Sequence, residues 1–156
     1  MSGSSGLSRE MKQSRAVVVL DTHAILAYLL DQRGAEATGA RLTEAQHGDC
    51  RATVSAISLC EICYIVERRK GAEAVAAVLG ALEDLPIEVI DVDRRAVLGA
   101  ARVKAAHAIS LGDAFVVALA LDQAATILTG DGEFRRVAHL VPMQWSTENS
   151  ADRAGP

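Results

Sequence analysis

The sequence predicts one α/β domain built on a mainly parallel sheet of about five strands. Short aliphatic and β-branched runs such as Ala16–Leu20 (AVVVL) read as strands buried on both faces, the habit of parallel rather than half-wet antiparallel sheets. Segments with apolar residues at helical spacing alternate with these runs along the chain. The composition, 50% hydrophobic but only 3% aromatic, gives a core of small aliphatic side chains that lets helices pack close to a sheet. A chain of 156 residues, 23% charged, is long enough for one such core and short for two.

Taken in order, residues 1–15 are rich in Ser, Gly and charge and have no apolar period, so they read as a disordered or vector-derived lead outside the fold. The strand Ala16–Leu20 is stopped by Asp21, and residues 22–30 follow at helical spacing, which puts Asp21 at a strand-to-helix junction as an N-cap. Residues 34–46 form a helix of modest strength closed by His47-Gly48-Asp49. A short strand over 50–54 leads to Ser55, the cap of a helix that runs to Lys70 and ends in a solvated turn, Glu67 to Lys70. An Ala-rich helix over 71–82, a break at Pro86 and a strand over 87–92 come next. Asp93 caps a helix over 94–107 whose polar side carries Arg94, Arg95, Arg102 and Lys104. Ser110, with Asp113 three residues on, matches a capping box and opens a helix whose run 114–121 is apolar enough to be covered on most sides. Ile127 and Leu128 mark a buried strand, 134–138 a helical turn, 141–145 a last strand and 146–156 a mobile tail. No internal repeat is visible.

The net charge of −4 argues against a general electrostatic grip on nucleic acid or an anionic membrane, so any contact with a polyanion must be local or metal-mediated. No apolar run approaches the ~20 residues a membrane helix needs, and no signal peptide opens the chain, which predicts a cytoplasmic protein. Cys50, Cys60 and Cys63 are an odd set, as expected in a reducing compartment. Cys60 and Cys63 have CxxC spacing, but no second ligand pair follows for zinc and the pair lies within a helical pattern; all are expected to be small core-facing residues.

The acids carry the functional argument. A helix of about 11 residues takes the chain ~16 Å away and a strand of about five brings it back. Asp113 and Asp131 therefore return to one rim, the kind that also holds Asp21, and α/β folds bind ligands there. Glu61 lies on the line Ile57–Glu61–Ile65 and should lean inward, where a carboxylate needs a cation or donors. Each acid alone has a better structural than functional explanation. Together they would repel strongly unless protonated or neutralised by metal. Oxygen-only ligands suit Mg2+ or Mn2+, and such an ion polarises a phosphoryl oxygen and acidifies a bound water, the chemistry of phosphodiester hydrolysis.

At these residues the segments VVVLDTHAILAYL, TVSAISLCEICYIVERR, ISLGDAFVVALAL and ILTGDGEF resemble the successive motifs of PIN domains, in particular the VapC-type toxin ribonucleases of type II toxin–antitoxin pairs. The resemblance spans about residues 16–145. It implies a Rossmann-like three-layer α/β/α sandwich, a Mg2+- or Mn2+-dependent endoribonuclease, a homodimer, and a cognate antitoxin that wraps the toxin and blocks its site. By position, Asp21 matches the first acid, Glu61 the helical glutamate, Asp113 the third acid and Asp131 the acid of the closing T-x-D segment, as metal ligands and catalytic residues. Thr22 and Thr129 match small polar residues that support such sites by hydrogen bonding. Gly112, before Asp113, stands where a larger residue is usual. Glu133 could assist Asp131 but reads more simply as a surface turn residue, and His23 could touch a phosphate or move a proton but reads as an ordinary helix-start residue. His47, His107 and His139 make no constellation, while Arg51, Arg135 and Arg136 could line an RNA path. Two rivals remain. Asp21 could be the nucleophile of an aspartyl-phosphate phosphatase, although His23 stands where that motif wants a second Asp; or the domain could be a catalytically silent RNA- or protein-binding PIN module, although all the acids are present.

Overall fold

The computed structural model describes residues 15–147; the lead and tail expected at 1–15 and 146–156 lie, apart from Arg15, Ser146 and Thr147, outside the described residues. In chain order the elements are β1 (Ala16–Leu20), α1 (Thr22–Leu29), α2 (Ala35–Gln46), β2 (Cys50–Ser55), α3 (Ala56–Lys70) and α4 (Ala72–Glu83). There follow β3 (Ile87–Ile90), α5 (Arg94–Ala106), α6 (Leu111–Gln123), β4 (Thr126–Thr129), a 3-10 turn (Gly132–Val137) and β5 (Met143–Trp145). The strands form one sheet in the order β3-β2-β1-β4-β5, and every neighbouring pair is parallel.

The β-branched run of β1 takes the centre because both of its faces are covered. Val18 and Leu20 face a core shared with Val54 and Leu128 and with Ile25, Leu42, Ile62, Val66 and Leu82 of α1 to α4. Val19 faces the other core, with Ile127, with Ala100 and Val103 of α5, with Val116, Val117 and Ala120 of α6, and with Phe134 and Val137 of the 3-10 turn. The result is a three-layer α/β/α sandwich, with α1 to α4 on one face of the sheet and α5 and α6 on the other.

The strand order creates a switch point. From β1 the chain moves outward through β2 to β3, then crosses back through α5 and α6 to β4 on the other side of β1. Connections leave the carboxyl ends of β1 and β4 in opposite directions, which opens a crevice there. The register Leu20↔Leu128 sets those two ends side by side, and the Asp21 N–H continues the ladder to the Leu128 carbonyl at 3.3 Å.

Several expectations are corrected. Along the apolar run of α6, Ala114 to Val117 and Ala120 are buried as expected, but its last residue, Leu121, is 50% exposed. Cys60 is exposed and Cys63 half-buried, and only Cys50 is buried. The inward line of α3 is Ser58, Ile62 and Val66, and Cys60 sits two residues off it, on the far side of the helix. β3 stops at Ile90, paired with the last residue of β2, Ser55, rather than continuing to Val92. β5 begins at Met143 because Pro142 has no N–H for the ladder, although its carbonyl accepts from Ile127 N at 3.0 Å. Among the described residues no single helix is long and apolar enough to cross a membrane.

Candidate functional site

Asp21 leaves β1 with extended backbone and caps α1, its Oδ1 accepting from Ala24 N at 2.7 Å. Its Oδ2 accepts a short hydrogen bond from the Thr129 hydroxyl at the end of β4. Thr129 Oγ1 in turn accepts from Asp131 N at 2.9 Å, so one hydroxyl ties the acid of β1 to the loop that carries the acid of β4. Asp21 is only 3% exposed, and burial pushes its carboxyl up to about 7 against the opposing hydrogen bonds from Thr129 and Ala24. The negative charges of Asp113 and Asp131 push it the same way.

Asp113 sits in the first turn of α6, where Ser110 caps the helix by accepting from Asp113 N at 3.1 Å. Burial raises its carboxyl to about 6, the Ser110 hydroxyl opposes that, and Asp131, Glu61 and Glu133 add repulsion. Glu61 reaches in from α3, half-buried, with its Oε1 accepting from the Thr22 hydroxyl at 3.2 Å. Its pKa is raised, chiefly by burial, with Thr22 opposing. Asp131 caps the 3-10 turn, its Oδ1 accepting from Glu133 N at 2.9 Å.

At the carboxyl rim of the sheet, Asp113 and Asp131 thus act on Asp21, and Asp131 and Glu61 act on Asp113. The structure adds Glu133. Carboxylate oxygens of Asp113, Asp131 and Glu133 all lie within 4.8 Å of one another, although the Glu133 side chain is exposed. The Asp131 cap folds the chain back on itself and so aims Glu133 at the cluster; the D-x-E spacing was the only available signal. These groups offer oxygen donors alone, a set that suits a hard divalent cation and no soft one.

The remaining nominated residues fall into two groups. His23 is exposed and packs its ring over the Gly130 backbone, where an added Cβ would lie 2.6 Å from Nδ1. The 3-10 turn beside the acids carries Arg135, whose guanidinium lies over the Trp145 ring at 4.7 Å, and Arg136, which donates to the Ala108 carbonyl at 2.6 Å. Arg51 does not belong near them. It stands at the amino end of β2, paired with Glu88 at 2.7 Å, and in a parallel sheet that is the opposite edge from the acids. His107 and His139 meet edge to face at 5.4 Å.

Comparison with known proteins agrees with this architecture. The PIN domain family model matches residues 18–140. No curated protein sequence matches the chain. Among solved structures, VapBC2 from Rickettsia felis bound to a DNA fragment from its promoter superposes with a TM-score of 0.66 at 18% identity, covering 82% of this chain and 97% of that one. VapBC-1 from nontypeable Haemophilus influenzae gives 0.63 at 21%, covering 85% and 99%. VapC20 from Mycobacterium tuberculosis, described as a sarcin-ricin loop cleaving toxin, gives 0.58 at 19%, covering 77% and 94%. Likeness at such identities is a likeness of fold.

Proposed function

Since the chain belongs to the PIN domain family, we propose that it is a metal-dependent endoribonuclease, the toxin of a toxin–antitoxin pair, with residues 16–145 as its one PIN-like domain. The observation that carries this reading is the gathering of Asp21, Glu61, Asp113 and Asp131 at the switch point of the sheet, from elements as far apart in sequence as Asp21 and Thr129, 108 residues. Acids that repel one another at one rim, two of them pushed up to about 7 and about 6, suit a site that a cation completes.

In this reading Asp21, Glu61, Asp113 and Asp131 hold Mg2+, or Mn2+ in its place, and Glu133 extends the cluster toward solvent. A divalent ion bound there supplies the Lewis acidity that activates water for hydrolysis of an RNA phosphodiester bond. Thr129 fixes the orientation of Asp21, and Thr22 that of Glu61, as outer partners of metal ligands do. The buried wall behind Asp21 keeps water off one side of the site, and the exposed edge at Glu133 leaves the other open to a strand of RNA. The net charge of −4 argues against a general electrostatic grip on RNA, so in this reading the contact is local to this rim. An aspartyl-phosphate role for Asp21 is disfavoured, because the carboxylate is 3% exposed and both of its oxygens already accept hydrogen bonds. The similar solved structures include toxin–antitoxin complexes, which supports a cognate antitoxin as the protein partner; a homodimer belongs to the same reading.

The test is incubation of the purified protein with varied RNAs in Mg2+, Mn2+ or EDTA, beside Asp21→Asn. Cleavage should need the cation, and the variant should lose at least ~100-fold, since even outer-sphere partners of a metal site cost 10- to 100-fold. Cleavage in EDTA, or full activity in the variant, overturns the mechanism.

A further inference from the structure

Gly112 is the second residue of α6, in helical backbone with Ser110 as cap, so neither a turn nor a left-handed conformation calls for glycine there. A helix also prefers alanine to glycine. Space supplies the reason. A Cβ built on Gly112 would lie 2.8 Å from Glu61 Cδ, with the Glu61 carboxylate oxygens as its other near neighbours. The carboxylate of α3 therefore lies directly against the first turn of α6, beside Asp113, in the volume that any side chain at 112 would fill. On its other side Glu61 is held by the Thr22 hydroxyl at 3.2 Å.

We propose that Gly112 is a positioning residue: its missing side chain makes the slot in which the Glu61 carboxylate meets Asp113. This rests on the reading of the acids as a metal centre. The group that obstructs residue 112 is the end of a long, flexible side chain, not backbone, so a larger residue displaces Glu61 and leaves the helices where they are. The alanine variant is thus a defect of the site and not of the fold.

The experiment compares wild type, Gly112→Ala, Gly112→Ala with Glu61→Asp, and Gly80→Ala, a helical glycine whose added Cβ meets nothing within 4 Å. Readouts are Mn2+ binding by electron paramagnetic resonance, thermal unfolding, and crystal structures of the metal-free proteins. Gly112→Ala should weaken Mn2+ binding by roughly tenfold or more, with its unfolding midpoint unchanged or raised and Glu61 withdrawn from Thr22. Glu61→Asp, one methylene shorter, should restore part of the binding in the alanine background, and Gly80→Ala should bind as wild type. Wild-type Mn2+ affinity in Gly112→Ala, with Glu61 still on Thr22, overturns the proposal. A wild type that binds no Mn2+ overturns the metal reading instead, and the place of Glu61 in the metal-free Gly112→Ala crystal then decides the role of Gly112 separately.

Discussion

Asp21 is ionisable, buried and tied by both oxygens, and its titration therefore bears on stability. Its ordinary value of 3.8 rises to about 7 in the fold, first through burial. Between those values the folded protein keeps a proton that the unfolded chain has lost. The contribution of Asp21 to the stability of the metal-free protein is therefore fully present at acid pH and falls as pH rises through that window, by up to ~1.4 kcal/mol per pH unit for one proton. Asp113, raised to about 6, acts in the same direction. Urea unfolding in EDTA at a series of pH values should show this decline, and Asp21→Asn should flatten it; a profile that rises from pH 4 to 7 contradicts the assignment. At this scale the sequence discloses part of the site. Asp21, Asp93 and Ser110 announce themselves as caps by residue type and place, and all three make the cap hydrogen bond. Glu133 and Gly112 do not, because one depends on how a cap folds the chain back and the other on which side chain from another helix fills a space.

Among the elements, the helices are legible within a residue or two because their N-caps and apolar spacing agree. Which way a helix faces is less legible. The apolar run of α6 hides that Leu121 looks outward, and the spacing of α3 does not separate exposed Cys60 from buried Ile62 without knowing where the sheet lies. Arg51 shows the same limit, since its strand is evident but the end of the sheet it occupies depends on topology. α4 offers a clean test of helix energetics apart from the site. Gly80 lies in its interior with free space around it, so Gly80→Ala should stabilise the protein by ~0.5–1 kcal/mol in urea denaturation and leave RNA cleavage unchanged.

For the whole molecule, the parallel α/β class follows from composition and alternation, but the order β3-β2-β1-β4-β5 does not. Strand neighbours are chosen by packing between distant segments, and it was the motif resemblance that pointed to the three-layer arrangement. The candidate site inherits this global character. Its acids come from the ends of β1 and β4 and from α3 and α6, so a cation held among them would cross-link the three layers. Mn2+ at a hundred times its dissociation constant should therefore stabilise the fold by ~2.7 kcal/mol, seen as a higher unfolding midpoint that EDTA reverses. An unchanged midpoint at saturating Mn2+ contradicts it.

The central place of β1 also governs when the site can exist. β1 leaves the ribosome before every other strand, yet its neighbour β4, with the Thr129 hydroxyl that Asp21 awaits, follows 108 residues later. A nascent chain that has made β1, β2 and β3 has one open flank on its middle strand and scattered carboxylates. The rim of acids closes only once the chain through Asp131 is free to dock, so on the proposed reading no cation site forms in an unfinished polypeptide.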